Sequence, residues 1–175
     1  MSGRRSGIVA ALATILLLLQ VYPASAYLKF GYEVNGTEFT LKWRTGMVRY
    51  FVTDQGAPGV SAQAFQEAVG RAFATWQAVP TSAISYQFGG FTRSLPGEDD
   101  GRSTLGFLNQ PDLDRVLAST SYLVDGDTGD LIESDIFFNT AFAWSVAANG
   151  QTGRWDLESI ALHEIGHMSG LGHSA

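Results

Sequence analysis

The three histidines of this 175-residue chain all fall within eleven residues, His163-Glu164-Ile165-Gly166-His167-Met168-Ser169-Gly170-Leu171-Gly172-His173. Chance would place three histidines at offsets 0, 4 and 10 about once in 5,000 arrangements, before Glu164 and Gly170 are required too. On a helix, residues i and i+4 share one face, so His163 and His167 can point at one metal ion. Glu164 is turned about 100° away. It is therefore read as the catalytic carboxylate that reaches a metal-activated water, not as a third ligand. Gly170 tolerates the positive φ that ends a helix and turns the chain back, so His173 can approach the same ion. Three imidazoles with an open fourth position suit a catalytic zinc site better than calcium or magnesium. The chemistry to expect is hydrolysis: the ion makes water nucleophilic near neutral pH, and Glu164 acts as general base and then general acid.

Those ligands need rigid elements beneath them. Asp156 is a suitable N-cap for a final helix with Leu157, Ile160, Ala161, Met168 and Leu171 as its apolar set. An earlier amphipathic helix opens at Ser61, carries Phe65, Val69, Ala72, Trp76 and Val79 on one stripe and ends before Pro80. It is read as scaffold, with no chemistry of its own. Tyr32 to Thr40 alternates around Asn35-Gly36, a hairpin signal, and Asn35-Gly36-Thr37 is also a glycosylation sequon. Met47 to Thr53 and Ile84 to Phe88 read as strands, Gly89 to Arg102 as a surface loop, and Leu105 to Leu108 as a short apolar segment. Ser121 to Val124 and Leu131 to Phe138 read as paired strands. The turn between them offers Asp125, Asp127 and Asp130, with Glu133 beyond, as oxygen ligands for calcium. Glu98, Asp99 and Asp100 are a second such group. The sum is an α+β, layered α/β domain.

Residues 1–26 read as a signal peptide, with Arg4-Arg5, an apolar run from Ile8 to Leu19 and Ala24-Ser25-Ala26 as the cleavage pattern. Residues 27–175 then form one domain, secreted to the extracellular space or periplasm. Loss of two arginines and no acids moves the formal charge from −6 to −8. That balance argues against nucleic acid and anionic membranes as partners of the mature form. There is no cysteine, which excludes a zinc-thiolate site and a cysteine nucleophile.

His163-Glu164-x-x-His167-x-x-Gly170-x-x-His173 resembles the metzincin zinc signature, and Leu171-Gly172-His173-Ser174 resembles its matrixin branch, peptidase M10. Leu41-Lys42-Trp43-Arg44, Ala68 to Trp76, Ser134-Asp135-Ile136 with Phe138-Asn139, and Ser159 to Leu162 are similar to other stretches of that family. The resemblance implies a zincin-like fold: a twisted, mostly parallel sheet, an antiparallel edge strand beside the cleft and zinc at the bottom. It implies a monomeric zinc metalloendopeptidase whose extended peptide or protein substrate pairs with that edge. It also implies a downstream methionine turn and last helix, which are missing here, so the domain is expected to be C-terminally truncated. The histidines of the family's second, structural zinc are absent, and so is the propeptide cysteine that keeps animal relatives latent. Two other readings follow from the same residues. One is a zinc-binding, catalytically impaired domain that serves as a peptide-binding module. The other is an amidase-like zinc hydrolase of non-protein substrates.

Overall fold

The computed structural model describes residues 28–34 and 36–173. The expected signal peptide lies outside the described residues, as do Asn35 of the sequon and Ser174. Among the described residues no helix is long and apolar enough to cross a membrane.

A hairpin comes first, β1 (Gly31–Val34) against β2 (Thr37–Thr40), with Gly36 in its turn at φ +80°. The main sheet follows: β3 (Lys42–Trp43), β4 (Met47–Thr53), β5 (Ser85–Thr92), β6 (Ser103–Leu108), β7 (Ala118–Val124) and β8 (Asp130–Asn139). Its order is β3-β8-β6-β4-β5, all parallel, and β7 runs antiparallel along β8. Between β4 and β5 the chain crosses over as α1 (Ala62–Gln77). A short pair, β9 (Trp144–Ser145) with β10 (Trp155–Asp156), leads into α2 (Leu157–Met168).

Both helices begin as the sequence predicts. Ser61 accepts a hydrogen bond from the Ala64 amide, and Asp156 accepts one from the Ser159 amide at 2.9 Å. These side chains satisfy amides that have no partner within the first turn. Alternate residues of β4, β6 and β8 (Val52, Leu105, Ile136 and Phe138) meet Phe65, Val69 and Ala72 of α1 and Leu157, Ala161 and Ile165 of α2 in one core. Each of these is buried essentially completely.

Three expectations need correction. Val79 lies beyond the end of α1 and is exposed, because the helix stops at Gln77. Leu171 is outside α2, and Ile165 takes the fully buried place on that helix. Gly89 to Thr92 belong to β5, not to a loop. There β4 and β5 fall out of register, Tyr50 opposite Phe88 but Val52 opposite Phe91. Gly89 and Gly90 absorb the extra residue of a β-bulge, a conformation that glycine admits readily.

The remaining loop is held from below. Asp135, 3% exposed, accepts hydrogen bonds from the amides of Gly97 (2.5 Å) and Thr104 (2.7 Å), and Glu133 accepts one from Gly101 (2.5 Å). Burial raises the carboxyl pKa of both, that of Asp135 to about 6, more than the amide bonds lower it. A carboxyl whose pKa is higher folded than unfolded contributes stability below its unfolded pKa, and that stability is lost as pH rises through the folded value. Folding stability should therefore carry a component that increases as pH falls from 7.5 toward 5, on the order of 1–3 kcal/mol for Asp135, read as a rise in melting temperature. His163 shifts downward and contributes the opposite slope. The check is the difference between wild type and Asp135→Asn, in which that slope cancels; a difference independent of pH rejects this account.

Candidate metal centre

Helix α2 carries the first two histidines and ends in a way that delivers the third. The Gly170 amide donates to His167 O (2.7 Å) and the Leu171 amide to Gly166 O (3.1 Å). That is the paired bonding of a Schellman cap, with Gly170 at φ +88°. A side chain at 170 would be strained, and its Cβ would also lie 2.7 Å from Leu41 O. The Trp43 indole donates to Met168 O (2.8 Å) and the Ser169 hydroxyl to Ile165 O (2.7 Å), so the last carbonyls of the helix are occupied.

Past this turn, His173 returns toward the helix. The Nε2 atoms of His163, His167 and His173 form a triangle with sides of 3.2, 3.1 and 3.1 Å. His167 Nδ1 faces Leu171 O at 2.7 Å. A carbonyl can only accept, so Nδ1 carries the hydrogen, and in the neutral ring Nε2 presents its lone pair to the centre. Desolvation lowers the pKa of His163, helped by neighbouring His167, and this favours the neutral form that a ligand needs. Zinc–nitrogen bonds of ~2.0–2.1 Å at tetrahedral angles separate ligand nitrogens by ~3.3–3.4 Å, close to the triangle seen here. The donor set fits zinc: three borderline nitrogens, no thiolate, and one side open to a cavity.

That cavity, roughly 600 Å³, is lined by all three histidines with Glu164, Thr120 and Tyr122 among others. Glu164 is buried, and Thr120 Oγ1 lies 2.6 Å from its Oε2 and 3.2 Å from its backbone carbonyl. The hydroxyl donates to the carboxylate and fixes its rotation from the neighbouring strand. The Tyr122 hydroxyl is buried with no hydrogen-bond partner. Burial, then the charge of Glu164, holds its pKa far above the usual phenol value, so it stays a neutral donor. A second cavity, roughly 360 Å³, touches the same histidines from the side of Gly166 and Trp76. Trp76 donates its indole hydrogen to Leu162 O (2.7 Å), and a Cβ at 166 would meet its ring at 2.9 Å. Helix α1 thus supports α2 directly, a scaffold role in contact with the site.

Among the described residues, the group of three or more metal-ligating side chains with donor atoms within 4.8 Å of one another is this histidine triplet. Asp125 and Asp127 lie in the β7–β8 turn and Asp130 at the start of β8, and the three do not form such a group. Asp125 Oδ1 instead accepts from the amides of Asp127 and Thr128, which lowers its pKa. Glu133 turns to the loop amides described above. Thr120 and Tyr122 carried no sequence signal of their own and Trp76 read only as part of the apolar stripe of α1, because each reaches the site through contacts between distant segments.

The matrixin (peptidase M10) family model matches residues 42–175. The chain belongs to the matrixin family. It is also 30% identical over 143 residues to human matrix metalloproteinase-20, a match covering 76% of this chain and 25% of that protein. This matrixin therefore spans about a quarter of the length of that relative. Matrixins as a family are metalloproteases, and the mixed sheet with its two helices fits a metzincin-like fold.

Proposed function

We propose that this matrixin is a secreted zinc endopeptidase that cleaves extended peptide or protein substrates, with His163, His167 and His173 as ligands and Glu164 as the catalytic base. The observation that carries the reading is the 3.1–3.2 Å triangle of Nε2 atoms, which shares a cavity with a buried carboxylate. When bound, zinc supplies the positive charge that acidifies water and polarises a peptide carbonyl. Glu164 accepts the proton of the attacking water and hands it to the departing amine nitrogen. Thr120 keeps one carboxylate oxygen occupied, so the other is left to move the proton.

Strand β7 pairs with β8 along one side, and Ala118, Ser119 and Thr120 line the cavity. Its other side offers backbone donors and acceptors to a peptide added in extended form. Export rests on the residue pattern of positions 1–26. The acidic mature chain suits a peptide partner rather than nucleic acid or an anionic membrane, and it acts as a monomer. Purified protein should cleave a quenched peptide or casein, lose that activity to a chelator and regain it with one equivalent of zinc. Stoichiometric zinc without cleavage would instead support a binding module.

A further inference from the structure

The segment that precedes the first hairpin is fastened to the loop that carries the third histidine. The Phe30 amide donates to Gly170 O (2.9 Å), the Gly172 amide donates to Leu28 O (2.5 Å), and Lys29 stands opposite Leu171 in an antiparallel bridge. On its other side Phe30 O accepts from the Leu41 amide (2.9 Å). Residues 28–30 thus lie as a strap between position 41 and the 170–172 turn. The fit is close: a Cβ at Gly172 would sit 3.2 Å from Leu28 O and 3.3 Å from Leu28 Cβ.

Two ligands are touched by this arrangement. The Phe30 ring packs on the His167 imidazole with centroids 5.3 Å apart, and on Tyr122 at 5.9 Å. Leu171, the residue the strap pairs with, supplies the carbonyl that holds His167 Nδ1. His173 follows Gly172 directly, so the bond from Gly172 to Leu28 fixes the backbone one residue from the third ligand.

We infer that Leu28–Phe30 is a positioning element of the metal centre: it sets the tautomer and ring plane of His167 and the approach of His173. The inference rests on the zinc-site reading and deepens it. Groups that orient ligands from outside the coordination shell are worth about 10–100-fold in metal affinity. The ring and the backbone pairing are separable contributions to that effect.

The test measures zinc dissociation constants by chelator competition on the full chain, alongside melting temperatures of the metal-free protein. Phe30→Ala should weaken zinc binding by roughly 10–100-fold, Gly172→Ala by roughly 10-fold, and Phe30→Leu, which keeps most of the apolar bulk, should recover most of the loss. Metal-free melting should change little, since the strap lies on the outside of the core. Wild-type affinity in both Phe30→Ala and Gly172→Ala overturns the inference. So does a loss matched by collapse of the metal-free fold with no recovery in Phe30→Leu. Failure of the wild type to bind zinc would instead reject the metal-site reading itself.

Discussion

Glu164→Gln should lower kcat/KM on a peptide substrate by roughly 10²–10⁴-fold while the protein still takes up one zinc per chain. The amide keeps the shape of the side chain and can still accept a hydrogen bond from Thr120, but it cannot take a proton from water at neutral pH. Because the residue lies beside the histidine triangle and is no ligand in this reading, metal stoichiometry separates the two roles. A variant that retains turnover dismisses Glu164 as the base, and one that loses zinc makes it a ligand. Thr120→Val is the graded companion. It removes the 2.6 Å bond that fixes the carboxylate, so kcat should fall with KM nearly constant, and Thr120→Ser should restore it.

The second large effect concerns metal and stability together. Zinc at a hundredfold excess over its dissociation constant should stabilise the wild type by ~2.7 kcal/mol, provided the unfolded chain binds it poorly. For a domain of this size that corresponds to a rise of roughly 5–11 °C in melting temperature. In His167→Ala or His173→Ala the rise should vanish, and chelator should no longer shift the transition. His167 is the more informative position, since its loss removes a ligand and also frees Leu171 O. A zinc-induced rise that survives in either variant would place the ion elsewhere.

How much of this could be read from residue order varied with the range of the forces involved. Helix starts were legible at Ser61 and Asp156 because capping is settled within three residues. The histidine triplet was legible because one turn of helix and one glycine suffice to relate His163, His167 and His173. The bulge at Gly89-Gly90 was not, since two adjacent glycines read alike in a loop and in a strand that must absorb an extra residue. Thr120 and Phe30 were invisible for a different reason. Their partners stand 44 and 137 positions away in Glu164 and His167, and both residues would be unremarkable in any strand.

The left-handed turn at Gly170 meets two demands that ordinary mutagenesis cannot separate, since every L side chain brings both the wrong dihedral and a methyl or more against Leu41 O. Semisynthesis can relieve both at once. A D-alanine at this position prefers the required φ and directs its methyl along the other tetrahedral bond, away from the L-Cβ site facing Leu41. If the dihedral and the Leu41 contact together are the whole reason for glycine, the mirror-image residue should be accepted where the natural alanine is refused.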